Sequence, residues 1–464
     1  MRRSLFVILL SLLLGAFVTP PQAKAGYAFV DCSGNTEGAF TSINDALAFL
    51  NSTSPDDPYW NWIEVTGTCT ENVWVNDQRK LAIAASWEQT ATINSANPNA
   101  APLSIGSSRS VYLYGLILTG GSSGLEAFRG SEIYMERCIA ESNSWMGVNI
   151  SGTTLVTARN LELRNNGWAG LFVAENSQFI TTDWDPDSGL RISNNGGPGV
   201  SVDYSLFLSR GGVTVENNLL GLEAKTGKLV LGGGSLGGNI IRGNRLAGVS
   251  VVENSEVAIW GQNLIQNNGP VGVRAASGSN ADIFGYEGGS TTIEGHTDAG
   301  IEVKERGQLM VWGLNFVRNN GSGHPSAGIR VDQTSQFVTM MNGLQVTNNM
   351  GSGIFADVNS SIDLSNITVS GNTGPGVLLL HQSVGELGSG ILGGGNGGGA
   401  LACDQRSLVI TNFFSPGQNC QSIEPAAGRP KPRYSPKLQL PKNSSAEVFK
   451  GMYQRLRKQA MHVR

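Results

Sequence analysis

Three groups of side chains in this 464-residue chain have the types and spacing to do chemistry. Lys228, Glu256 and Asp282 recur about one repeat apart. On stacked strands they would set two carboxylates near a cation, which suits acid–base work; the alternative is a ladder of ion pairs. The segment Thr182-Asp183-Trp184-Asp185-Pro186-Asp187-Ser188-Gly189 carries Asp183, Asp185 and Asp187 at alternate positions, where their oxygens can face Ca²⁺. It is not a complete twelve-residue calcium loop, because Ser188 stands at the sixth position and Asn194 at the twelfth. No other cofactor is expected. Finally, Trp184, Trp260, Tyr286 and Trp312 follow the same strand of their repeats, the last three in consecutive repeats. A line of ring faces can stack against the apolar C–H faces of sugars; the alternative is packing on neighbouring turns.

These groups are positioned by a repeat. Between Gly124 and Cys403 a glycine opens a four-residue apolar run twelve times, at intervals of 22 to 29 residues. The copy Leu161–Val173, LELRNNGWAGLFV, is the clearest. Each repeat holds three short runs in which apolar and polar residues alternate, the mark of strands with one buried and one wet face. Three strands and three turns use up one period, so the expected fold is a solenoid of stacked coils, a parallel β-helix. An asparagine sits four residues before the glycine at Asn143, Asn166, Asn195, Asn217, Asn244, Asn268, Asn349 and Asn372. His296 takes the place in one coil, and an insertion from Asn320 to Ala327 displaces it in another. Recurrence in nearly every coil marks these side chains as a structural ladder rather than a ligand row. The strand after the glycine run points Glu132/Tyr134, Thr154/Val156, Gln178/Ile180, Leu206/Leu208, Lys228/Val230, Glu256/Ala258 and Asn280/Asp282 outward. The second column is largely apolar, so something is expected to cover it.

The motif N-N-x-G-x-G-[VIL]-x-[VLA] with its Asn ladder resembles the right-handed parallel β-helices of the pectate-lyase-like superfamily. The resemblance spans about Gly26 to Cys420. It implies an all-β, right-handed parallel β-helix of about 12–14 coils, with substrate placed on the strand after the glycine run. It does not select among the lyases, hydrolases, epimerases, esterases, adhesins and phage spikes of that superfamily. Asp185-Pro186-Asp187 resembles the Asp-Pro-His-Asp motif of mannuronan epimerases without its histidine. The paired Asp, Gly-His-Gly and Arg-x-Lys set of polygalacturonases is absent, since His324 stands in Gly323-His324-Pro325.

The ends differ from the repeats. Residues 1–25 read as a signal peptide, with Arg2 and Arg3, an apolar run from Leu5 to Val18, and a small-x-small site at Ala23-Lys24-Ala25. The expected location is therefore secreted, periplasmic or cell-surface. Residues 26–103 read as an N-terminal cap and first coils, with a capping helix over Phe40–Leu50 that Ser42 can start. Glu71 in that region reads as a turn or cap residue. Residues 104–422 form the β-helix, and 423–464 a proline-rich basic linker and short C-terminal helix. A mobile, solvated tail and an attachment to anionic envelope material are both open for that segment. A formal charge of −4 argues against a nucleic-acid partner. Of the five cysteines, Cys32 with Cys69 and Cys403 with Cys420 are natural pairs, leaving Cys138 buried, although other pairings exist. The functional expectation is a polysaccharide-binding face. The alternatives are a polysaccharide lyase, hydrolase or epimerase, or a non-catalytic rod of the envelope.

Overall fold

The computed structural model describes residues 26–53, 60–86, 89–181, 189–233, 238–285, 289–322, 326–340, 343–388, 391–392, 394–411 and 421–422. Its strands form three parallel sheets that run the length of a solenoid. The first wall holds the glycine runs, 14 strands from Val73–Asn76 to Leu401–Cys403. The second wall has 17 strands, from Tyr27–Asp31 to Gln421–Ser422. The third has 14, from Thr68–Thr70 to Ile391–Leu392. About 14 coils result, so neighbours on a wall come from successive repeats. Val148, for example, pairs with Leu171 and Leu171 with Val200.

Alternation sets the inside. Val, Ile, Leu and Phe side chains from all three walls merge into one continuous buried column. Within it Phe179 and Phe207 stack at 5.8 Å. The glycine opening each first-wall strand is a packing requirement. A Cβ on Gly124 would stand 2.7 Å from the Gly147 carbonyl oxygen and 2.9 Å from the Asn143 amide nitrogen. The coil can turn there only where that carbon is missing.

That amide belongs to a buried ladder. Asn143 Nδ2 donates to Asn166 Oδ1, Asn166 to Asn195, Asn195 to Asn218, Asn218 to Asn244 and Asn244 to Asn268, at 2.8–3.2 Å. Beyond His296 it resumes as Asn320, Asn349, Asn372 and Asn396. Two expectations are corrected here. Asn218, not Asn217, is the rung, because Asn217 takes a left-handed backbone angle and leaves its successor facing inward. Asn320 also remains a rung, so the insertion that follows it does not break the ladder.

The helix, α1, spans Ile43–Thr53 and buries Ile43, Ala46, Leu47 and Leu50. It starts later than expected, since Phe40 bridges to Val30 instead. Glu71 is its cap: its carboxylate accepts from Ile43 N at 2.7 Å, Asn44 N at 3.2 Å and Ser42 Oγ at 3.0 Å. A carboxylate at a helix N-terminus satisfies otherwise orphaned amides and meets the positive end of the dipole. Cys32 and Cys69 form a disulfide beside it. Cys403 is also disulfide-bonded, and Cys420, its expected partner, lies outside the described residues. Cys138 is free and buried, and burial pushes its thiol up to about 12. The segment 1–25 and the tail 423–464 also lie outside the described residues. Among the described residues no helix is long and apolar enough to cross a membrane.

Candidate functional site

The second wall's outward face carries the expected functional residues in three columns. In the first, Glu132, Leu155, Gln178, Leu206, Lys228, Glu256 and Asn280 follow one another in register. Beside it run Tyr134, Thr157, Ile180, Leu208, Val230, Ala258 and Asp282. One coil departs from expectation: Leu155 and Thr157 point outward, whereas Val156 belongs to the core. The alternation there starts one residue later than the sequence pattern suggested, because Thr154 ends the preceding turn and takes a Ser177 hydroxyl as partner for its N–H.

Lys228 and Glu256 meet, with Nζ 2.9 Å from Oε2 and both side chains half-buried. Asp282 does not join their column. It pairs in register with Ala258 and Met310, one coil on and two residues along, about 8 Å away by strand geometry. Together these residues form an ion pair with a carboxylate in the neighbouring column. Part of the apolar middle column is buried within the chain itself. Leu208, Val230, Ala258 and Asp282 are all buried despite pointing outward.

The third column holds the rings. Gly232, Trp260, Phe284, Trp312 and Met340 lie in direct register. The ring between Trp260 and Trp312 is therefore Phe284, which the sequence reading passed over. Tyr286, Trp184 and the three aspartates Asp183, Asp185 and Asp187 lie outside the described residues. Phe284 and Trp312 stand 6.0 Å apart, tilted by 38°, and all three rings are partly exposed. Gly232 leaves room for the Trp260 indole, which a Cβ there would strike.

Behind this row lies a second buried ladder that sequence reasoning missed. Asn239 Nδ2 donates to Asn263 Oδ1 at 2.7 Å, Asn263 Nδ2 to Thr291 Oγ1 at 3.2 Å, and Thr291 N to Asn315 Oδ1 at 3.2 Å. The same amides hold the row's backbone: Asn239 binds the Gly232 carbonyl, Asn263 that of Trp260, and Asn315 that of Trp312. The signal was present as Asn239, Asn263, Thr291 and Asn315, each five residues before the main ladder's Asn244, Asn268, His296 and Asn320.

At the N-terminal end the middle column is open and aromatic. It reads Tyr27, Trp62, Ala82, Tyr112, Tyr134 and Thr157. Tyr112 and Tyr134 stack at 5.5 Å, and the Tyr112 hydroxyl donates to Glu136 at 2.9 Å. Burial and that carboxylate raise the Tyr112 phenol well above its usual range. Trp60 and Trp62 flank a cleft of about 470 Å³. The sequence reading missed this cluster because it lies ahead of the regular repeats.

A family model described as "Right handed beta helix region" matches residues 83–246. The chain is a right-handed parallel β-helix protein. Among solved structures, this β-helix is similar to the A-module of mannuronan C-5 epimerase AlgE6 of Azotobacter vinelandii. The identity is 14%, the TM-score 0.36, and the match covers 81% of this chain and 95% of that one. For the AlgE4 A-module of the same organism the values are 11%, 0.36, 85% and 100%. No curated protein matches the β-helix in sequence.

Proposed function

We propose that the protein is an exported β-helix that binds polysaccharide along its second wall. One observation carries this reading: Trp260, Phe284 and Trp312 stand in consecutive register on the outward face, partly open, on backbone held by a buried amide ladder. Rings repeated at coil height, about 4.8 Å, form a ridged apolar strip for the flat faces of a sugar chain. The geometry supports binding over reaction, because Glu256 is tied to Lys228 and Asp282 stands in another column.

Affinity electrophoresis in gels containing plant, algal and bacterial polysaccharides tests the proposal. The wild type should be retarded by at least one polymer, and the Trp260→Ala/Trp312→Ala double variant should migrate freely through it. Equal retardation of both would remove this surface from consideration.

A further inference from the structure

The cleft at the N-terminal end of the second wall lies several coils from the Trp260 row and has a different chemistry. Trp60 and Trp62 close one end, with 42% and 37% of their surface exposed. The stacked rings of Tyr112 and Tyr134 form a flank, and Ser110 and Glu132 supply polar groups beside them. A contiguous patch of exposed rings marks an interaction site more than scattered exposed side chains do. The volume, about 470 Å³, falls within the roughly 300–1,000 Å³ of ordinary ligand sites.

Charge and shape narrow the occupant. Among the described residues lining the cleft, Glu132 is the only charged one. A uronate would bring a second negative charge beside Glu132. An uncharged pyranose instead offers apolar C–H faces to the rings and equatorial hydroxyls to Ser110 and Glu132. The cluster is also held in place: Tyr112 is tied to Glu136, and Arg137 reaches the Tyr114 hydroxyl at 2.9 Å.

We propose that this cleft is a subsite for one or two residues of an uncharged pyranose chain. The inference rests on the reading of the second wall as a sugar-facing surface. It adds a ligand class and a place where a chain end is gripped.

Isothermal titration of the full chain with neutral hexaoses (cello-, manno-, xylo- and maltohexaose) and with oligogalacturonate and oligoalginate tests it. At least one neutral oligomer should bind, and the uronates should bind at least about tenfold more weakly. Trp62→Ala should weaken the neutral oligomer by about tenfold or more, and Trp62→Phe should restore most of that loss. Circular dichroism melts establish that both variants fold. Glu132→Lys should improve uronate binding at low salt.

Loss of oligomer binding in Trp62→Ala, with binding kept in Trp260→Ala/Trp312→Ala, supports the cleft. Binding kept in Trp62→Ala and lost in the double variant overturns the cleft and leaves the proposed function standing. Uronates binding as tightly as neutral oligomers also overturns it. So does displacement of the oligomer by millimolar tetramethylammonium, which would make the rings a cation cage.

Discussion

The middle column of the second wall changes character along the rod. At its N-terminal end Trp62, Tyr112, Tyr134 and Thr157 stand partly open to solvent, whereas Leu208, Val230, Ala258 and Asp282, in the same column, are buried. Strand register is identical in both regions, so the repeat does not decide exposure. Exposure follows what packs over each section of the wall, not its register. The open end carries the rings of Trp62, Tyr112 and Tyr134; the covered section carries Leu208, Val230, Ala258 and Asp282.

The largest expected effect breaks this contrast directly. Val230→Lys places a charge in the covered section, where it must lose its hydration without a designed partner. It should cost on the order of 3–5 kcal/mol, seen as a lowered denaturation midpoint. Thr157→Lys, in the same column at the open end, should change the midpoint by less than about 0.5 kcal/mol. Equal costs would mean that the two sections are not differently covered.

Next comes the support of the ring row. Asn263→Ala removes the donor to the Trp260 carbonyl and the acceptor for Asn239, both in buried surroundings. A loss of about 1–3 kcal/mol is expected, together with weaker retention on the polymer that binds the wild type. Thr368→Ala, on the outward face of the third wall, should leave both readings unchanged. A stable Asn263→Ala variant with normal retention would show that the second ladder does not position the rings.

The coils were legible because their causes repeat. A glycine that must lack a Cβ and an asparagine that must meet its copy leave the same mark in each period, and so the walls, the glycine positions and most rungs could be read. Register within one coil was less secure. Asn217 and Asn218 are both asparagine, and only the left-handed angle at Asn217 tells which faces inward. Thr154 and Leu155 differ by a turn that ends one residue later than its neighbours. The cleft was illegible for another reason. Trp62, Tyr112 and Tyr134 come from three strands with no common motif, Trp60 leads into the first of them, and only stacking brings them together. Phe284 was passed over for Tyr286 because an aromatic two residues along looks equivalent until register assigns the column.

A smaller effect separates the ladder from the wall by pH. His296 replaces an asparagine rung, with its ring nitrogens 3.0 and 3.1 Å from the carbonyls of Asn268 and Ile265. Burial lowers its pKa, and the two carbonyls oppose that only in part. The unfolded chain therefore binds a proton at a higher pH than the folded one. This contribution to stability is present above the ordinary histidine value, about 6.5, and fades as pH falls below it. His296→Asn should flatten the dependence of the melting temperature on pH between about 7 and 5 relative to wild type. An unchanged slope would mean that the rung does not titrate in this range.

The smallest effect concerns Lys228 and Glu256, neighbours in the wall's first column. As a half-buried ion pair they should couple weakly. A double-mutant cycle of Lys228→Met and Glu256→Gln should give about 0–1 kcal/mol of interaction, reduced further by 0.5 M salt. The cycle is needed because either single change also alters other contacts. The same four proteins, incubated with uronate and neutral polymers, should release no unsaturated or reducing ends. Product from the wild type that disappears in Glu256→Gln would reverse the assignment, since an ion pair serving only the wall has no reason to govern a reaction. In that case Asp282, about one coil and two residues away, would be the carboxylate to substitute next.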